Sequence, residues 1–188
     1  MTHSPLIPGF NWTHRTDAYG THQPVLFEAI KRKLSVLPIL ELGCGFNSTL
    51  LIHAAAGDTT VVTVESDDEW LKKFKHLETE TRQFSIVGSL DDIIHRFKGQ
   101  YSVVFIDQGR WESRASCVVH FNLSAEIVVL HDSDYLEREF HMNFSDHYKY
   151  VKTFMPLEPF PYMTGPPTTI MSNYVDVTQW EINYEDYK

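Results

Sequence analysis

Glu41-Leu42-Gly43-Cys44-Gly45-Phe46-Asn47-Ser48-Thr49 decides how the rest of this sequence is read. An apolar run, Val36-Leu37-Pro38-Ile39-Leu40, precedes it, and a helical one, Leu50-Leu51-Ile52-His53-Ala54-Ala55-Ala56, follows. Strand, glycine turn, helix is the setting that a nucleotide-type cofactor loop requires. Glycine permits the tight turn and lets the backbone come close to a ligand. Glu65 stands 20 residues beyond Gly45 and closes a second apolar run, Val61-Val62-Thr63-Val64. A carboxylate at that strand end can accept hydrogen bonds from both hydroxyls of a ribose.

Outward from this loop, strands and helices alternate. Thr21-His22-Gln23-Pro24 opens a helix, with Thr21 as its expected cap and Pro24 in its first turn. Strands are expected at 37–42, 60–65, 83–87, 101–106 and 126–130, and helices at 48–56, 67–79, 90–97, 111–121 and 134–142. Asp67 and Asp91 are expected helix caps. Runs such as Val103-Val104-Phe105-Ile106 suit strands buried on both faces. The order implies a parallel sheet under helices. The end differs: 148–154 and 168–175 read as strands, and the 155–167 segment between them holds five prolines and no helical pattern. A parallel crossover there would need a helix, so the last strand is expected to run antiparallel.

Composition narrows the function. The chain has 188 residues, of which 43% are hydrophobic, and one domain is expected over 1–188, with an irregular arm at 1–20 and an acidic tail at 176–188. No apolar run is long enough to span a bilayer, and no secretory signal is visible. Two cysteines, Cys44 and Cys117, are too few for a disulfide framework, which points to a reducing cytoplasm. The net charge of −9 argues against a nucleic-acid partner, because phosphate binding needs a basic face.

The identity of the cofactor turns on Ser48. A dinucleotide site wants a third glycine where Ser48 stands, and here acidic Glu41 opens the loop. Glu41-Leu42-Gly43-Cys44-Gly45 resembles the first motif of class I S-adenosylmethionine-dependent methyltransferases, and the resemblance runs over about 21–177. Gly20-Thr21-His22-Gln23-Pro24, Ser48-Thr49, Asp107, Arg114, His131-Asp132 and Ser172-Asn173 are similar to a group of small bacterial or viral methyltransferase-like domains. The resemblance implies a doubly wound α/β fold, a mostly parallel seven-stranded sheet with an antiparallel last strand. It implies S-adenosylmethionine as cofactor, with Gly43, Cys44 and Gly45 facing its methionine part, Glu65 on the ribose, and Ser89 and Leu90 beside the adenine with Asp91 nearby. Glu41, Asn47, Ser48, Ser66 and Asp107 complete the expected cofactor set, since ligands of open α/β sheets sit outside the carboxyl ends of the strands.

Asp107 and His131-Asp132 end the fourth and fifth strands. Two adjacent carboxylates need a cation or proton between them. Catechol-type O-methyltransferases place acids at these two strand ends around a divalent cation, and the likeness implies Mg²⁺ or Mn²⁺ on Asp107 and Asp132. This chain departs from that pattern, having His131-Asp132-Ser133 where those enzymes have Asp-Asn. Two alternatives stand beside the metal: His131 as general base, oriented by Asp107 or Asp132, or Asp132 as a helix cap with His131 a satisfied crevice residue. His22 is a second acid–base candidate. Arg110 or Arg114 is suited to clamp an anionic acceptor, with Glu112 the expected partner of Arg114. Trp111 is either a wall of the site or helix packing.

The reading is methyl transfer to a small-molecule or sugar acceptor at oxygen. The alternatives are a module or complex subunit that holds S-adenosylmethionine or S-adenosylhomocysteine without chemistry, and, ranked below it, a nicotinamide-dependent reductase.

Overall fold

The computed structural model describes residues 7, 10–156 and 165–187. Thirteen elements carry the architecture. They are α1 (Gln23–Lys31), β1 (Ile39–Leu42), α2 (Thr49–Ala55), β2 (Val61–Glu65), α3 (Asp68–Lys72), β3 (Arg82–Ile86), α4 (Leu90–Arg96), β4 (Tyr101–Ile106), α5 (Trp111–His120), β5 (Ala125–His131), α6 (Ser133–Glu139), β6 (Tyr150–Phe154) and β7 (Thr168–Ser172). The seven strands form one sheet in the order β3-β2-β1-β4-β5-β7-β6. β1 to β5 are parallel, and β7 runs antiparallel between β5 and β6. The doubly wound, mostly parallel sheet with its antiparallel last strand is therefore observed as expected.

Alternation along each buried strand sends side chains to two cores. Ile39, Val61, Val103, Phe105, Ile127 and Val129 meet Val25, Leu26, Leu51 and Ile52 of α1 and α2 on one face. Leu40, Leu42, Val104, Ile106, Val128 and Leu130 meet Ile93, Cys117, Val118 and Leu136 of α4, α5 and α6 on the other. Burial on both faces is what the uninterrupted apolar runs specify.

Several boundaries differ from expectation for local reasons. The helix expected over 67–79 is only α3, followed by a 3-10 turn at Lys75–Leu77. The chain tightens through Lys73 N–H to Trp70 O and Phe74 N–H to Leu71 O, which turns Phe74 inward to pack with Leu71 and Cys44. α6 stops before His141, which is left-handed at φ 50°. β7 stops at Ser172 because the Ser172 hydroxyl accepts from the amides of Tyr174 and Val175, drawing them out of the sheet. α1 is capped by neither Thr21 nor a side chain: His22 is its N-cap residue, and the Thr21 hydroxyl is used elsewhere. Asp67 does cap α3. Ser89, not Asp91, caps α4. The prolines at 159 and 161 lie outside the described residues.

Residues 10–14 and 180–187 close over α1. Trp12 packs edge-on against Phe27 of α1 and against Tyr187, at ring-centre distances of 5.5 and 5.0 Å. Tyr187 donates to Glu28 at 2.9 Å, and His14 meets the Tyr184 carbonyl at 3.1 Å. The acidic tail is thus packed, with Trp180, Tyr184 and Tyr187 buried.

Gly43 follows β1 at φ 90°. A Cβ there would lie 2.6 Å from the carbonyl oxygen of Asp107 and 2.7 Å from the Gln108 nitrogen. The close approach that requires glycine is thus to the backbone beyond β4. Gly43→Ala is expected to lower unfolding free energy by roughly 2–4 kcal/mol, combining a strained φ with a backbone clash. Urea denaturation checks this, and an unchanged midpoint would refute it.

Candidate functional site

A cavity of about 820 Å³ opens at the carboxyl ends of β1, β2, β3 and β4. The strand order reverses between β1 and β4, the switch point where open α/β sheets bind ligands. Leu42 and Gly43 form one wall, Glu65 and Ser66 follow β2, Val87 to Leu90 follow β3, and Gln108, Gly109 and Arg110 follow β4. Of the expected cofactor residues, Gly43, Glu65, Ser66, Ser89 and Leu90 line this space. Ser113 and Ile93 also line it and were not singled out by the sequence, and so does Glu112, which the sequence assigned to Arg114 and not to the cavity. Ile93 and Ser113 lie four residues beyond Ser89 and Gly109, so helical spacing after the strand ends was the signal available.

Glu65 is held in place before any ligand arrives. Its Oε2 accepts from the Cys44 amide at 3.1 Å, and its Oε1 accepts from the amides of Ser66 and Asp67 at 2.6 and 3.0 Å. The Ser66 hydroxyl and the Cys44 thiol also donate to it, at 3.2 and 3.6 Å, so the carboxylate is preorganised at the cavity wall with its lone pairs occupied by exchangeable side-chain donors.

The remaining loop residues serve the loop itself. The Gly45 amide donates to Thr49 Oγ1 at 3.0 Å, and the Cys44 carbonyl accepts from Trp70 Nε1 at 2.7 Å. Asn47 accepts from Thr13 Oγ1 and donates to Asp17, tying the N-terminal arm to the loop. Ser48 is the buried N-cap residue of α2. None of Cys44, Gly45, Asn47 and Ser48 lines the cavity, and the bonds named here give each a supporting role in the loop. Glu41 does not line it either. It is fully buried and accepts from Thr49 Oγ1 and Thr63 Oγ1 at 2.9 and 2.8 Å. Burial pushes its pKa up to about 7, against the opposing influence of the Ser48, Thr63 and Thr49 hydroxyls.

The second constellation centres on Arg114. β4 and β5 are neighbours, as the pairing of Asp107 with Asp132 requires. The charge between the two acids is the Arg114 guanidinium, 2.8 Å from Asp107 Oδ1 and 3.0 Å from Asp132 Oδ2. It also donates to the carbonyls of Gln108, His131 and Asp107. The Mg²⁺ or Mn²⁺ expected on Asp107 and Asp132 is corrected here, since a built-in cation already bridges that pair. The expected partner of Arg114, Glu112, is also replaced. Asp132 is the N-cap residue of α6 but makes no capping bond; it is left-handed at φ 53° and spends its carboxylate on Arg114. Asp107 does not line the cavity. Trp111 stacks on Tyr135 at 4.0 Å, joining α5 to α6, which is the packing alternative.

His22 and His131 stand beside this cluster, ring centres 4.6 Å apart and 1% and 2% exposed. His131 Nε2 lies 3.2 Å from Thr21 Oγ1, and its Nδ1 lies 3.4 Å from Asp107 Oδ2 and 3.8 Å from Asp132 Oδ2. Burial works against protonating His131, but the Asp107 and Asp132 carboxylates outweigh it and raise its pKa. Burial likewise opposes ionisation of Asp107, yet His131 and Arg114 hold its carboxyl below the usual range. His22 has no such help: burial, then the neighbouring His131, lower its pKa to about 3, so it is neutral. Of the four expected catalytic residues, all stand in one cluster, and only Asp107 and Asp132 have partly exposed side chains.

No protein-family model matches this sequence, and no curated protein matches it. Solved structures match its architecture. The O-methyltransferase TomG from Streptomyces achromogenes, involved in tomaymycin synthesis and solved with S-adenosylmethionine, is 16% identical; the match covers 81% of this chain and 79% of TomG at a TM-score of 0.58. Cofactor-bound Rv0187 from MTB is 16% identical over 89% of this chain and 84% of its own, at 0.61. Human methyltransferase-like protein 13, solved with S-adenosylhomocysteine, is 12% identical over 90% and 87%, at 0.60. The fold is that of class I methyltransferases. Such identities carry architecture, and chemistry has to be argued from the site. Among the described residues no helix is long and apolar enough to cross a membrane.

Two outcomes follow from the buried charges. Arg114→Met keeps an apolar stem but leaves Asp107 and Asp132 facing each other; it is expected to cost about 3 kcal/mol in urea unfolding, and a variant as stable as the parent would refute the bridging role. Glu41 sets a pH dependence. Between the unfolded value of 4.5 and the folded value of about 7, the unfolded chain releases a proton that the folded chain keeps, so stability falls as pH rises. Below that window both states hold the proton, and above it the penalty is constant. Glu41→Gln is expected to flatten this decline in unfolding measured across the window; an unchanged slope relative to the parent would count against it.

Proposed function

We propose that this protein binds S-adenosylmethionine in the cavity at the switch point and transfers its methyl group to a small-molecule or sugar oxygen. The observation that carries the reading is Glu65, fixed by three backbone amides at the wall of a cavity of about 820 Å³, where ribose hydroxyls would take the places of the Ser66 hydroxyl and Cys44 thiol that now donate to it at 3.2 and 3.6 Å. Gly43 would lie along the methionine part, and Ser89 and Leu90 along the adenine. The acidic surface, −9 overall, supports a small acceptor over a nucleic acid. Two free, buried cysteines fit a reducing compartment and so support a cytoplasmic location.

The chemistry asked of the protein is modest. The acceptor oxygen attacks the sulfonium methyl in line, the carbon–sulfur bond breaks toward sulfur, and the acceptor proton departs. Alignment supplies most of the effect, and a positioned base adds roughly 10²–10⁴-fold. Of the expected catalytic residues, Asp107 and Asp132 have exposed side-chain surface for that role, and Arg114 holds both.

A second reading rests on the burial of His22 and His131, and on Thr21 covering His131 Nε2. With both imidazoles closed off, a module that holds S-adenosylmethionine or S-adenosylhomocysteine without turnover, alone or within a complex, fits the same cavity.

Calorimetric titration with S-adenosylhomocysteine is expected to show binding that Glu65→Ala weakens by ~1.5–3 kcal/mol, the worth of charge-assisted hydrogen bonds. Equal affinity in parent and variant would sink the cofactor assignment. S-adenosylhomocysteine release across a panel of hydroxylated small molecules and sugars then separates the two readings: acceptor-dependent release supports the transferase, and tight binding with no release by any of them supports the module.

A further inference from the structure

His22 at the start of α1, Asp107 just beyond β4 and His131 at the end of β5 each offer one ligand atom, and these atoms lie within 4.8 Å of one another. The hydrogen bonds around His131 fix which nitrogen is available. The Thr21 hydroxyl donates its only proton to the Pro166 carbonyl at 2.9 Å. Toward His131 Nε2, at 3.2 Å, it can therefore only accept, so Nε2 carries the ring proton. In the neutral ring Nδ1 is then a bare lone pair, and it faces Asp107 Oδ2 at 3.4 Å. Two acceptors facing each other need a second proton or a cation. A proton shared in a charge-assisted bond would draw them to ~2.7–2.9 Å. Two ligands held ~2.1 Å from one ion at the tetrahedral angle stand roughly 3.4 Å apart.

His22 supplies the independent observation. It is 1% exposed, and among the described residues neither of its nitrogens has a hydrogen-bond partner of ordinary geometry; the Asn47 carbonyl is the last of the influences on it, behind burial, His131 and Asp107. An orphaned buried imidazole is costly unless something binds it. Outer partners of the kind that orient metal ligands are already present: Thr21 on the far nitrogen of His131, and Arg114 on the other oxygen of Asp107 at 2.8 Å. Asp107, Asp132 and Arg114 sum to one negative charge, so a dication does not enter a positive site.

We propose that His22, Asp107 and His131 bind one divalent transition-metal ion of the zinc class through two imidazole nitrogens and Asp107 Oδ2. Nitrogen donors select Zn²⁺ or Co²⁺ over Mg²⁺. The site differs from the Asp107–Asp132 pair in both its ligands and its ion, and it does not depend on the methyl-transfer reading.

The experiment titrates Co²⁺, and then Zn²⁺, into chelator-stripped full-length protein without S-adenosylmethionine. The expected result is visible d–d absorption saturating at one equivalent, bleached by Zn²⁺ and unaffected by Mg²⁺, with a rise in melting temperature. His22→Ala should weaken Co²⁺ binding at least ~10-fold, and the exposed control His141→Ala should leave it unchanged. His22→Gln, which retains a polar side chain, replaces the alanine variant if that one fails to fold. Absence of d–d bands in the parent, or equal Co²⁺ affinity in both His22 variants, overturns the proposal. So does a nitrogen NMR spectrum of the stripped protein, held with Zn²⁺ in excess, that still shows both His131 nitrogens protonated. Cofactor binding by the stripped protein is measured separately, so its failure and the metal's failure are distinguishable.

Discussion

Arg114 is the constraint on which the carboxyl edge of the sheet depends. Its guanidinium reaches the side chains of Asp107 and Asp132 and the carbonyls of Asp107, Gln108 and His131. It therefore joins the ends of β4 and β5 to α5 with directional bonds and cancels one of two clustered negative charges. An arginine that serves this many acceptors has no capacity left for a substrate, and among the described residues the cation that lines the cavity is Arg110 and not Arg114. The αL backbone at Asp132 is a companion feature: it turns the carboxylate toward the guanidinium and away from the start of α6.

The cavity and the buried cluster are two products of one topology. Parallel strands deliver their carboxyl ends to one edge, and the reversal between β1 and β4 leaves a crevice there. On the β1–β3 side that edge carries backbone amides, a glycine turn and Glu65, an arrangement suited to hydroxyls. On the β4–β5 side it carries carboxylates and imidazoles packed under Thr21 and Phe105. Glu41 lies beneath, one residue before the end of β1, where Thr49 and Thr63 lock the loop helix to the next strand.

Much of this was legible in the sequence. Apolar runs of four to six residues fixed the buried strands, and the proline-rich stretch without helical spacing fixed the direction of β7. The strand-end rule located Gly43, Glu65, Ser66 and Ser89 at the cavity. What escaped was the assignment of partners. Glu41, Cys44, Asn47 and Ser48 are polar residues in a cofactor-like loop, and a one-dimensional reading cannot tell a group aimed at a ligand from one aimed at Thr49, Trp70 or Asp17. Arg114 escaped for the same reason: its acids lie 7 residues before and 18 residues after it, as set by strand adjacency, while Glu112 is merely close in sequence. Helix ends were missed where a side-chain hydroxyl or a 3-10 turn competed with the regular backbone pattern.

The aromatic clasp over α1 links positions 170 residues apart, His14 with Tyr184 and Arg15 with Glu185. Trp12, Phe27 and Tyr187 interlock across the same span. During synthesis α1 emerges well before its aromatic cover, which arrives with the last segment described. The helix that positions Thr21 and His22 therefore waits, with an apolar side unsheltered, until Tyr184 and Tyr187 have left the ribosome. Maturation of the buried cluster is in this sense a late step, and the interval before it is when a nascent chain most needs a chaperone's shelter.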